Sequence, residues 1–156
     1  MAAARACSAR VPASFVLSGR MTYTAGAQEG KSLAKILIVE DNETNMKLST
    51  FILESADYTV LAAVSAEIGL TLARESRPDL ILMDIQLPGM DGLQATALLK
   101  ADDTTRDIPV IALTALAMKG DEERIRAAGC DGYIAKPLDY KDFLATVKAS
   151  LTKSAV

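Results

Sequence analysis

The chain contains no histidine and no tryptophan. Without histidine it has no imidazole base, no histidine metal ligand and no phosphohistidine of its own. Any phosphoryl group carried on histidine must therefore come from another protein. There are two cysteines, Cys7 and Cys130. They give neither a disulfide framework nor metal-ligand spacing, and a reduced, cytoplasmic setting is the default. Aromatic residues make up 4% of the chain, so the core is expected to be aliphatic. No apolar run approaches the roughly 20 residues of a membrane span. Basic charge is not in excess either, since the formal net charge is −3. That argues against a nucleic-acid-binding surface.

Half of the 156 residues are apolar, enough for the core of one domain. The first 34 residues stand apart. They carry Arg5, Arg10, Arg20 and Lys31 against Glu29 alone, whereas the remainder is acidic. A basic segment poor in acids has the composition of a targeting peptide. Its apolar stretch "VPASFVLSG" is broken, however, and the segment shows no clear periodicity. We read residues 1–34 as a disordered leader, with Met21 as a candidate internal start.

From Lys35 onward, strand and helix signals alternate. "KILIVE" (35–40), "YTVLAA" (58–63), "LILMD" (80–84), "PVIALT" (109–114) and "GYIAK" (132–136) are apolar, largely β-branched runs of strand length. Helical spacing follows each of them. Asp41 or Asn42 can cap the first helix, with Met46, Leu48, Phe51, Ile52 and Leu53 as its apolar positions. Ser65 can cap the second, which carries Ile68, Leu72 and Ala73 and ends near Pro78. Asp91 and Gly92 start the third, with Leu93, Ala97, Leu98 and Leu99. "MKGDEERIRAAG" is the fourth, closed by Gly129. Asp139 caps the fifth, which contains Phe143, Leu144, Val147 and Leu151. This is a (βα)5 pattern, and it predicts an α/β fold with a doubly wound parallel five-stranded sheet. The ordered domain is expected over 35–152, followed by a short tail at 153–156.

In open parallel sheets, function gathers at the carboxyl ends of the strands. Strand one ends on Glu40 and Asp41, strand three on Asp84, strand four on Thr114 and strand five on Lys136. Taken singly, each has an ordinary role: Asp41 as a cap, Asp84 as a turn residue before Pro88 and Gly89, Thr114 as a strand end, Lys136 as a solvated charge. Taken together, they bring three carboxylates, a hydroxyl and an ammonium to one edge. Clustered carboxylates are tolerable around a hard cation, and Mg²⁺ takes carboxylates together with phosphate oxygens and waters. Lys136 would add positive charge from the opposite side. The set suits a phosphoryl group on Asp84, with Thr114 donating to one of its oxygens.

"ILIVEDN", "PDLILMDIQLPGMDG", "IPVIALTA" and "YIAKPL" resemble the receiver domain of two-component response regulators, from residue 35 to about 152. The resemblance implies a flavodoxin-like fold with Asp84 as the phosphoacceptor. It makes Glu40, Asp41 and Asp84 ligands of Mg²⁺, together with the backbone carbonyl of Gln86. Thr114 and Lys136 would bind phosphoryl oxygens, and the Lys136–Pro137 bond would be cis. Ala115 would leave the phosphoryl path open. Gln86 and Leu116 would influence the lifetime of the phosphorylated state. Thr114 and Tyr133 would form the switch. "EDNETNMKL", "DIQLPGMDGL" and "ALAMKGDEERIRAAGC" are similar to the single-domain regulators of cell cycle and polarity in alphaproteobacteria. Members of that group lack the 34-residue leader.

The implied partners are a sensor histidine kinase or histidine phosphotransfer protein as donor, and a downstream regulatory kinase or other protein as target. Nucleic acid and membrane are not expected as partners. The first-helix face near Met46 and Leu48 would meet the donor, unless these residues are core. The output face would include Met118, Lys119, Glu122, Tyr133 and Asp139. The protein would catalyse only its own phosphoryl transfer and autodephosphorylation. Other classes fit less well. A haloacid-dehalogenase-like phosphatase wants a second Asp where Gln86 stands, and a P-loop NTPase needs a glycine-lysine motif that is absent. A chemotaxis-type regulator and a phosphorylation-independent binding module remain as alternatives.

Overall fold

Five short runs of Val, Ile, Leu and Ala set the frame of the computed structural model, which describes residues 33–115 and 119–155. They form β1 (Lys35–Val39), β2 (Thr59–Ala63), β3 (Leu80–Asp84), β4 (Val110–Thr114) and β5 (Gly132–Ala135). The alternating helices are α1 (Glu43–Ser55), α2 (Ala66–Ser76), α3 (Gly92–Ala101), α4 (Lys119–Ala127) and α5 (Tyr140–Ala155). All four strand pairings are parallel, in the order β2-β1-β3-β4-β5. The strands lie in one compact unit, Ala34–Val156. The expected leader, with Cys7 and Met21, lies almost wholly outside the described residues.

The period-2 alternation of side chains divides the core in two. Ile36, Ile38, Leu80, Leu82, Ile111 and Leu113 point to one face, where they meet Ile52 and Leu53 of α1 and Phe143 and Val147 of α5. Leu37, Val39, Ile81, Met83, Val110 and Ala112 point to the other face, where they meet Ala66, Leu70 and Ala73 of α2, Ala95 and Leu99 of α3, and Ile125 of α4. β3 and β4 are buried along their whole length, as apolar strands in a sheet covered on both faces should be. Phe143 is the one aromatic among the fully buried side chains described, so the core is aliphatic as expected.

The helix starts follow their capping residues. Asn42, rather than Asp41, caps α1 by accepting from the Asn45 amide, and Ser65 caps α2 by accepting from that of Ile68. Asp91 and Gln94 form a reciprocal capping box at α3. Gly129, past α4, takes the positive φ of +105° expected of a terminating glycine. α2 ends at Ser76, two residues before Pro78, with Arg77 between them in the left-handed conformation.

Several sequence expectations need correction. The helix α5 runs to Ala155, past Leu151, the last apolar position read for it in the sequence. Leu48 and Phe51 are not core positions; Phe51 is 68% exposed, and Ser49 takes the buried place on α1. Ile68 and Leu98 also face outward. Apolar residues on two sides of α1 and α3 leave the phase of the inward stripe ambiguous in sequence, and the small residues Ser49, Ala95 and Thr96 win the close approach to the sheet. No helix among the described residues is long and apolar enough to cross a membrane.

Candidate functional site

The chain passes from β1 to the edge strand β2 and then crosses back to β3 on the far side of β1. The strand order thus reverses between β1 and β3, and a crevice opens there at the carboxyl ends. β1 delivers Glu40 and Asp41 to that crevice, and β3 delivers Asp84. Register keeps the neighbouring ends level: Val39 pairs with Met83, Asp84 with Leu113, and Thr114 with Ala135. Lys136 follows directly, and its amide donates to the Thr114 carbonyl at 2.7 Å.

Glu40 and Asp84 are almost fully buried, whereas Asp41 is exposed at the mouth. Carboxylate oxygens of all three lie within 4.8 Å of one another. Lys136 reaches the two buried carboxylates. Its ammonium donates to Glu40 Oε2 at 2.9 Å and to Asp84 Oδ2 at 3.0 Å. The second oxygens are held by main chain: Glu40 Oε1 accepts from the Asn42 amide and Asp84 Oδ1 from the Gln86 amide. Burial pushes the Glu40 carboxyl above its usual range, and the hydrogen bond with Asp84 adds to this against the pull of Lys136. Burial alone would lower the Lys136 ammonium, but hydrogen bonds to Glu40 and Asp84 carry it above the ordinary lysine value. Among the described residues three carboxylates face one ammonium, so these groups carry an excess of negative charge. Hard oxygen donors at this spacing fit a small divalent cation.

The remaining expected residues fall around this centre. Thr114 is fully buried at the end of β4, and Ala115 beyond it is exposed. Tyr133 is half-buried on β5, packed against the core beneath α2, α3 and α4. The Lys136–Pro137 bond is cis. Gln86 turns its side chain to solvent. Met46 packs on the core while Leu48 of the same helix is exposed, so the two are divided between core and surface. Leu116, Met118 and the Lys119 side chain lie outside the described residues.

Gly92 escapes a reading of the sequence alone, which takes it only as a helix start. A Cβ there would collide with the Asp84 carbonyl oxygen and lie 2.6 Å from Ile85 Cα. The available signal is a glycine in the first helical turn, a position where most residues serve better.

Residues 36–148 match the model of the response regulator receiver domain. The polar-differentiation response regulator DivK of Brucella anthropi is 55% identical over 116 residues, 74% of this chain and 94% of that protein. Its counterpart in Brucella melitensis is 54% identical over the same length. Among solved structures, a response regulator from Chloroflexus aurantiacus superposes with a TM-score of 0.75 at 29% identity, covering 78% of this chain and 99% of that one. The receiver domain of sensor histidine kinase PA1611 from Pseudomonas aeruginosa superposes with a TM-score of 0.73 at 35% identity, again covering 78% and 99%. That structure holds a magnesium ion coordinated in its active-site cleft. Receiver domains are signalling modules that interact with histidine kinases and phosphotransfer proteins. A continuous family match, DivK-type relatives and a shared flavodoxin-like architecture agree, and the chain belongs to the response regulator receiver family.

Proposed function

We propose that Asp84 accepts a phosphoryl group from a phosphohistidine on a partner kinase or phosphotransfer protein. A carboxylate oxygen of Asp84 attacks phosphorus, the P–N bond breaks, and the imidazole leaves with the bonding electron pair. The product is an aspartyl phosphate. The observation that carries this reading is the buried Asp84 carboxylate, held by Lys136 beside Glu40 and Asp41 at the switch point of the sheet. Phosphoryl transfer depends chiefly on positioning and charge stabilisation. Lys136 already lies against the Asp84 carboxylate and would neutralise an oxygen of the incoming group. Mg²⁺, held by Glu40, Asp41, Asp84 and the Gln86 carbonyl, would supply the remaining neutralising charge. The main-chain bond from Gln86 to Asp84 Oδ1 limits rotation of the nucleophile.

The signal then leaves through the protein surface. The Thr114 hydroxyl is drawn toward the phosphoryl group, and Tyr133 moves into the space behind it, a two-state change biased by local charge. Glu122 on α4, Tyr133 on β5 and Asp139 before α5 belong to the face that would change. The likeness to DivK supports a role in cell-cycle or polarity control, with a regulatory kinase or another protein as target. The protein would catalyse only its own phosphorylation and autodephosphorylation.

Intact mass after incubation with Mg²⁺ and phosphoramidate tests the transfer, because that donor shares the P–N bond of phosphohistidine. The wild type should gain one phosphoryl group and Asp84→Asn none. Equal addition to both proteins would overturn the assignment.

A further inference from the structure

The turn that follows Asp84 is clamped from behind by the first turn of α3. Gly92 donates its amide to the Ile85 carbonyl at 3.2 Å. It also lies so close to the Asp84–Ile85 peptide that a Cβ would sit 2.9 Å from the Asp84 carbonyl carbon. The helix turn itself is braced in the interior. The Thr96 hydroxyl is fully buried and donates to the Gly92 carbonyl at 2.8 Å. Its oxygen in turn accepts from the buried Cys130 thiol at 3.8 Å, just ahead of β5. At its outer end the same turn is fixed by the Asp91–Gln94 capping box.

We propose that Gly92 and Thr96 are positioning residues for Asp84. They hold the peptide that follows it, and through that peptide they set the direction of its carboxylate toward Lys136 and the acidic pair. Neither touches the reacting atoms. Thr96 carries the bond from the Cys130 thiol to the Gly92 carbonyl and so ties the α3 turn to the segment ahead of β5, and the missing side chain of Gly92 permits that turn to rest on the main chain of β3. A buried hydrogen bond of this kind is costly to leave half-made, which gives the placement its stiffness. The proposal rests on reading Asp84 as the phosphoacceptor, but its geometric content can be measured separately.

The test compares full-length Thr96→Val, Thr96→Ser and Gly92→Ala with Val147→Ala, a control buried in the opposite core. Two quantities are read: the rate of phosphorylation by phosphoramidate with Mg²⁺, and the amide resonance of Gln86, whose N–H is bonded to Asp84 Oδ1. A misplaced nucleophile should slow the reaction about tenfold or more in Thr96→Val and Gly92→Ala. The Gln86 resonance should move in both. Thr96→Ser keeps the hydroxyl and should restore the rate and the resonance, and Val147→Ala should lower stability while leaving both near wild type. If Gly92→Ala does not fold, the Val and Ser variants at Thr96 decide the question. An unaltered rate and an unmoved Gln86 amide in Thr96→Val would overturn the proposal. If the wild type accepts no phosphoryl group, the proposed function fails, and the Gln86 resonance alone then supports or overturns the brace.

Discussion

At the scale of single residues, the centre balances repulsion between buried acids against one lysine. Lys136 contacts both Glu40 and Asp84, whose side chains are 1% and 5% exposed. Removing one partner of a buried pair leaves its mate uncompensated. Lys136→Met should therefore lower stability in denaturant titrations without divalent cations by about 2–3 kcal/mol, below the range for full burial because Lys136 keeps some solvent contact. Added Mg²⁺ should recover part of that loss; unchanged stability would show that the pair contributes nothing. Asp102 is a contrasting case away from the site. Hydrogen bonds from the Thr104 hydroxyl and amide, then the Arg74 guanidinium, hold its carboxyl down to about 2. Its folded value lies below the ordinary 3.8, so its contribution to stability is present above that pH and is lost as pH falls through about 2. An NMR titration of the Asp102 carboxyl carbon should give a midpoint near 2. Of these residues, Glu40, Asp41, Asp84 and Lys136 are readable in sequence because each ends an apolar run. Gly92 and Thr96 are not, because their part depends on how one helix turn meets one strand end.

At the scale of elements, local chemistry places the helix starts well and the helix faces poorly. Asn42, Ser65, Asp91 and Asp139 each accept from amides in the turn they precede, which their side chains announce in sequence. The inward face of α1 is harder to see, since Leu48 and Phe51 compete with Met46 and Ile52 at similar spacing. Ser49 resolves the competition only in three dimensions, by being small enough to approach the sheet. Asp91→Ala removes the side-chain half of the capping box, leaving the residue-91 amide bonded to Gln94, and should cost about 1 kcal/mol in denaturant titrations. Because α3 begins against Asp84, the same change should also slow phosphorylation. A stability loss with an unaffected rate would separate the cap from the site.

At the scale of the whole molecule, a parallel sheet follows from the alternation of strands with helices. The order β2-β1-β3-β4-β5 does not follow from alternation alone, because alternation leaves open on which side of β1 each later strand is laid down. Two cores share the burden of stability. Phe143 is the largest side chain fully buried among those described, and it joins α5 to the β1, β3 and β4 face. Phe143→Ala should cost about 3–5 kcal/mol by calorimetry or denaturant titration. The site itself is anchored to strand ends rather than to α5, so phosphorylation of the variant at a permissive temperature should persist. The acidic crevice, the lysine and the turn after Asp84 all serve one event, formation of an aspartyl phosphate at position 84. Borohydride reduction of the phosphorylated protein, followed by peptide mapping, reads that event directly, because an acyl phosphate is reduced to the alcohol. The account predicts homoserine in place of Asp84 and unmodified Glu40 and Asp41; reduction at either of the latter two, with Asp84 intact, would contradict it.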